Sequence, residues 1–207
     1  MEKRIASFIT YLFHPLLIPT YGMCIIYQFF SGLYFIHDWR VPLLILGITF
    51  VSTCLLPALS TVLLFKSGFI KSPELSDRKE RLLPYLITSL YYSFAFYLFD
   101  RFPIPSGMLH IIRLFILGAA GSILLTALIT LFWKISAHTI AIGGLAGALL
   151  GLNFILPVSS FGVFYAALLC AGVAGYSRLK LNAHTPAQVY VGFILGFASM
   201  FGLISFL

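Results

Sequence analysis

His138 and His184 each stand at the head of a glycine-rich apolar run, and each follows basic and hydroxyl residues at short spacing. The segments read Lys134-Ile-Ser136-Ala-His138 and Ser177-Arg178-Leu-Lys-Leu-Asn-Ala-His184-Thr-Pro-Ala-Gln188. A third polar segment is Lys71-Ser-Pro-Glu-Leu-Ser-Asp-Arg78-Lys-Glu-Arg81. Imidazole acts as nucleophile or as general acid and base near neutral pH. Arginine binds tetrahedral oxyanions through paired hydrogen bonds. The N-terminus of a helix offers free N–H groups to phosphate, and Thr185-Pro186 fits such a helix start. Together these groups suit phosphoryl transfer at a membrane surface.

The membrane follows from everything that surrounds the three segments. The 207 residues are 60% hydrophobic and 9% charged, with a mean hydropathy of +1.03. A soluble domain carries roughly 25% charged residues. The expected fold is therefore an all-α integral membrane protein, a bundle of about six to seven transmembrane helices in a single domain over 1–207. Charges are costly in such a chain, so where they gather is where function is sought. Lys3 and Arg4 precede an apolar run, but His14-Pro15 and Pro19 interrupt it, so no cleaved signal peptide is expected. The net charge of +7 points to anionic lipid headgroups or phosphorylated lipids, and not to nucleic acid, because the basic residues cap spans and form no stripe. Cys24, Cys54 and Cys170 lie inside apolar runs without metal or redox spacing and read as small buried hydrophobes.

Seven spans are predicted, at about 8–36, 41–65, 82–99, 108–133, 138–157, 160–176 and 185–207. The first has a candidate break at His14-Pro15, with an amphipathic interfacial helix as the alternative for its opening turns. Trp39, Trp133 and Tyr176 mark span ends. Counting spans puts segments 1–7, 66–81, 134–137 and 177–183 on one face, so all three polar segments meet there. That face carries Lys3, Arg4, Lys66, Lys71, Arg78, Lys79, Arg81, Lys134, Arg178 and Lys180, against Arg40, Arg101 and Arg113 on the other. The asymmetry points to the cytoplasm.

Gly143, Gly147 and Gly151 in the fifth span, and Gly192 and Gly196 in the seventh, repeat at spacing four. Small residues at this spacing let helix backbones approach closely in lipid. Pairing these two parallel spans would bring His138 and His184 together; self-association into a homo-oligomer is the other use of such faces.

In these segments the chain resembles the type 2 phosphatidic acid phosphatase superfamily of membrane lipid phosphatases, whose pattern is KxxxxxxRP, PSGH and SRxxxxxHxxxD. Ser177-Arg178, five residues and His184 match the third block, with Gln188 where the family has Asp. Ile135-Ser136-Ala137-His138 keeps Ser and His of the second. Lys71 and Arg78 keep the spacing of the first with Lys79 in place of Pro; a shifted register uses Arg81, with Pro84 soon after. The family-like core covers about 66–200.

The resemblance implies that His184 attacks phosphorus to form a phosphohistidine and that His138 protonates the leaving oxygen. It implies that Lys71, Arg78 or Arg81, Ser136 and Arg178 hold the phosphoryl oxygens, with no metal and no cofactor. Gln188, four residues after His184 on the same helical face, takes the place of the family's Asp as hydrogen-bond acceptor. Asp77 or Glu80 is a candidate replacement for the missing carboxylate. Pro105-Ser106-Gly107-Met108 imitates the second block without its His, on the opposite face, and reads as a turn; His110 and His37 read as interfacial. His14 reads as structural, with a substrate path as the alternative.

The substrate class is a phosphate or pyrophosphate monoester of a lipid: polyprenyl pyrophosphate, phosphatidic acid, phosphatidylglycerophosphate or a lipid A phosphate. A phosphotransferase using the same histidine, and a non-catalytic lipid-binding or transport protein, are the alternatives. The expected location is a bacterial inner (cytoplasmic) membrane. The charge count places the site inside and the resemblance places it outside, so its side stays open.

Overall fold

The computed structural model of the protein describes residues 1–30, 39–75, 77–101, 106–156 and 160–206, except the side chains of Ser106 and Gly107. Every regular element among them is helical: α1 (Glu2–Leu12), α2 (Ile18–Phe30), α3 (Arg40–Phe50), α4 (Leu56–Lys66), α5 (Leu82–Phe99), α6 (Ser106–Thr130), α7 (Ala137–Ile155), α8 (Phe161–Lys180) and α9 (Pro186–Ser205). Six helical stretches are long and apolar enough to cross a bilayer: Arg40–Lys66, Arg78–Phe99, Met108–Thr130, Ala137–Ile155, Phe161–Lys180 and Pro186–Ser205. The chain is an integral membrane protein.

The first predicted span is divided. Pro15 lacks an N–H and disfavours helix in the residue before it, so α1 stops at Leu12. The break is held by specific bonds. The Leu17 N–H donates to the His14 carbonyl at 2.9 Å, the Leu16 N–H to His14 Nδ1 at 3.4 Å, and the Tyr21 hydroxyl to the Leu12 carbonyl at 3.2 Å. On α1, Ala6 is buried against the bundle while Ile5, Phe8, Tyr11 and Leu12 stay exposed, the amphipathic pattern of an interfacial helix.

The second span is continuous from Arg40 to Lys66 but passes through a π-helical turn at Val51–Leu55, where the Tyr92 hydroxyl donates to the Thr53 carbonyl at 3.3 Å. The sixth span runs four residues past its predicted end, so Ser177 and Arg178 sit on the last turn of α8 and not in a loop. Ser106 and Met108 lie in the first turn of α6, so the imitation of the second block opens a helix instead of forming a turn. His110 is exposed, and His37 lies outside the described residues. Cys24 is exposed on α2, and Cys54 and Cys170 are half-buried, so none of the three is buried as expected.

α7 is the central helix. Its span is 72% buried inside the protein, whereas those of α8 and α9 are 22% and 28% buried. Leucine and phenylalanine cover the outer faces, as lipid contact requires. α7 packs most closely on α9, and the two run parallel. A Cβ on Gly143 would meet the Phe193 carbonyl, and one on Gly147 the Phe197 carbonyl. One on Gly196 would meet the Ile140 carbonyl, and one on Gly192 the Thr139 hydroxyl. These obstacles are mainly backbone atoms, which cannot swing away as a side chain can. Gly196→Val is therefore expected to lower stability by at least ~1–3 kcal/mol through overpacking. Gly202→Ala, on the same helix with open space around its Cβ, serves as the neutral control. Thermal unfolding midpoints of the two variants in detergent check this.

Candidate active site

The glycine contact brings the starts of α7 and α9 side by side. The Ser136 N–H donates to the Gln188 carbonyl at 3.4 Å, linking the two first turns. Ser136 is fully buried and caps α7, its hydroxyl accepting from the Thr139 N–H at 3.4 Å. Thr185 caps α9, accepting from the Gln188 N–H at 3.4 Å, while Gln188 Oε1 accepts from the Thr185 N–H at 3.2 Å. This capping box fixes the orientation of the Gln188 amide, because a backbone N–H can only face its oxygen.

That orientation decides the state of His184. His184 Nδ1 lies 3.0 Å from the same Gln188 oxygen. An amide oxygen only accepts, so Nδ1 bears the hydrogen and Nε2 keeps its lone pair. Gln188 Oε1 thus accepts from the His184 ring N–H. Asp77 and Glu80, the candidates for a carboxylate beside His184, have their hydrogen bonds elsewhere. Asp77 accepts from the Lys79 N–H at 3.1 Å, and Glu80 from the Lys71 N–H at 3.1 Å.

His184 is 8% exposed, and its pKa is lowered to about 4. Desolvation is the main cause; Arg81, Arg178 and Lys134 add repulsion, and the Gln188 hydrogen bond works the other way. His184 is consequently neutral above about pH 4. If its Nε2 lone pair drives a reaction, kcat/KM should fall as the pH drops through that value, since protonation removes the lone pair. Gln188→Asp adds a negative charge beside Nδ1, favours the imidazolium and should move this acid limb upward. A pH profile of kcat/KM for both proteins checks the sign.

His184, His138, Arg178 and Arg81 line one cavity of about 350 Å³. Arg81 is 6% exposed on the short 3-10 turn Arg78–Arg81 that precedes α5. It donates through Nε to the Leu75 carbonyl at 2.8 Å and through Nη1 to the Ile135 carbonyl at 3.2 Å. Arg178 donates through Nη1 to the Thr10 hydroxyl at 3.3 Å. Arg178 Nε and His138 Nε2 are shielded from solvent and have no hydrogen-bond partner among the described residues.

Of the first block, only the shifted register reaches the cavity. Arg78 turns away and donates to the Leu131 carbonyl at 2.9 Å. Lys71 is exposed and outside the lining. Ser136 shapes the start of α7 and does not line the cavity.

Three contributors were not assigned to the site from sequence. Lys134 is close enough to repel the proton of His184, and its own pKa is lowered by desolvation and by Arg81 and Arg178. Its position four residues before His138 was the available signal. Tyr85, one turn after Arg81, lies against that guanidinium and lines the cavity. His14 also lines it; the sequence read it as structural, with a substrate path as the alternative.

The rest of the lining is mainly apolar, with Thr61 and Ser122 among it, and the carboxylate residue Glu74 also lines the cavity. Pro84, Tyr85, Thr88 and Tyr92 form one face of α5 along it, spanning roughly 12 Å at 1.5 Å per residue. Ile140, Leu145, Phe115 and Met200 complete the wall. The Thr88 and Thr126 hydroxyls donate to the carbonyls four residues back, at 2.7 and 2.6 Å, which spends their donors within their own helices. Val62 of α4 lines the cavity and is 41% exposed, so the lining reaches the outer face of the bundle. The cavity can therefore seat an amphiphile, with an anion at the cationic end and hydrocarbon along α5. Comparison with family models, characterised proteins and solved structures finds no match to this chain.

Proposed function

We propose that the protein is a membrane lipid phosphatase that hydrolyses a phosphate or pyrophosphate monoester of a lipid through a phosphohistidine. The observation that carries this reading is the unpartnered Arg178 Nε in a cavity that also holds Arg81, His138 and His184. A shielded N–H donor without an acceptor is costly, and an oxyanion satisfies it. The apolar continuation along α5 supports a lipid as the rest of the substrate.

In the first step the His184 Nε2 lone pair attacks phosphorus. The N–P bond forms as the bond from phosphorus to the lipid oxygen breaks, and His138, entering as imidazolium, gives its proton to that oxygen. The phosphoryl group's negative charge favours this imidazolium beside Arg178. His184 keeps its Nδ1 hydrogen on Gln188 throughout. Water then attacks phosphorus, His138 takes one of its protons, and the N–P bond breaks to release phosphate. Arg178, Arg81 and Lys134 neutralise the charge that builds on the phosphoryl oxygens. No step is assigned to a metal or cofactor. The location that accompanies this reading is a bacterial cytoplasmic membrane.

The test is phosphate release by purified protein in detergent from a panel of phosphorylated lipids, with EDTA present. Release that survives chelation is expected. A folded protein that binds these lipids and releases phosphate from none of them would replace the hydrolase with a lipid-binding or transport function. Release to an added alcohol in preference to water would make it a phosphotransferase.

A further inference from the structure

The site contains an imidazole that lies outside the family-like segments. His14 occupies the break between α1 and α2, where Pro15 frees it from helical geometry. Its ring meets that of His138 edge to face, with centroids 5.6 Å apart and planes at 78°. Both rings line the same cavity. The Leu16 N–H donates to His14 Nδ1 at 3.4 Å, so neutral His14 carries its hydrogen on Nε2. The structural task at the chain break uses one nitrogen only, which leaves Nε2–H as the polar edge available to the cavity.

The surrounding helix is arranged to hold it there. α1 packs on α8, with Glu2 paired to Lys180 at one end. At the other end the Thr10 hydroxyl accepts from Arg178 Nη1 at 3.3 Å and lies 3.3 Å from the Ser177 hydroxyl. The Thr10 carbonyl lies against His138. Thr10 and His14 therefore touch the second and third motif segments together, and His14 lines the cavity beside them.

We propose that His14 is a substrate-binding residue, donating from Nε2–H to a phosphoryl oxygen held between His138 and Arg178. This rests on the reading of the cavity as a phosphoryl site. It requires no proton transfer by His14, because its donor is present in the neutral ring. His14→Gln can place an amide N–H near the same point, whereas His14→Phe keeps the ring's bulk without a donor.

The experiment is a titration of full-length protein in detergent with inorganic orthophosphate, followed by histidine side-chain 15N NMR. The expected result is that phosphate shifts the His14, His138 and His184 signals and leaves His110 in place. His14→Phe should weaken phosphate binding about tenfold or more, the scale of a hydrogen bond to a charged group, and His14→Gln by about threefold or less. Unchanged His184 signals in the free variants establish that the fold is kept; where His14→Phe fails this check, the His14 shift in wild type and the affinity of His14→Gln decide. A His14 signal that ignores phosphate, or a folded His14→Phe that binds as wild type does, overturns the assignment. Equal weakening in Gln and Phe variants also overturns it, since donor replacement would then not rescue. Wild type that binds no phosphate overturns the phosphoryl site and this inference together. Binding without hydrolysis of any lipid phosphate overturns the hydrolase alone, and the titration still decides His14.

Discussion

His184→Ala is expected to lower phosphate release by on the order of 10⁴-fold or more, because it removes the atom that bonds to phosphorus. The variant should fold. Gln188 Oε1 keeps the Thr185 N–H, and Thr185 keeps the Gln188 N–H, so the capping box that starts α9 does not depend on the imidazole. The Gly143–Phe193 and Gly147–Phe197 contacts that seat α9 on α7 lie deeper in the bundle. Initial rates with an unchanged unfolding midpoint check the claim. A rate within about tenfold of wild type would mean that His184 is not the nucleophile.

Arg178→Lys carries the second largest expected effect, a drop in kcat/KM of about 10²–10³-fold. Lysine keeps the charge but not the planar fork. It cannot bond the Thr10 hydroxyl and present a second N–H to an oxyanion in the same fixed geometry. The paired control is the choice between Arg78 and Arg81. Arg81→Lys should be similarly harmful, because it gives up the bonds to the Leu75 and Ile135 carbonyls that hold this guanidinium at the cavity. Arg78→Lys should retain activity within about threefold, as its guanidinium faces the Leu131 carbonyl outside the cavity. Steady-state rates for the three variants on one lipid check the order.

These contrasts mark where the chain could be read directly. Ser177, Arg178, His184 and Gln188 lie on two helix ends joined by a short turn, and local spacing nearly determines their relation. The α7–α9 pairing was legible because a glycine stripe has few other uses in lipid. The first block was harder. Its arginines stand at the two ends of a single 3-10 turn outside any α-helix, too short for a sequence period to fix which of them faces inward, so counting from Lys71 pointed to Arg78 while folding buried Arg81. The resemblance implies a phosphate-binding role for Ser136, yet serine equally suits a helix cap, and the Thr139 N–H takes it.

His14 marks a different boundary. Pro15 announced a break in the first span, but a break does not encode the direction in which the chain leaves. Only the seating of α1 on α8, through Glu2–Lys180 and Thr10–Arg178, turns His14 toward His138. Such contacts join residues far apart in the chain, and no periodicity carries them. Lys134 was in plain view within a motif segment, and its effect on His184 follows from how α7 begins beside α9.

The central claim is that phosphorus passes through His184. Its most direct test is rapid mixing of the protein with a 32P-labelled lipid phosphate, quenching in alkali and peptide mapping of the protein-bound label. The account predicts label on the peptide containing His184, stable to alkali, lost in acid, and absent from His184→Ala. Phosphate release at the full rate with no label on His184 at any quench time would contradict it.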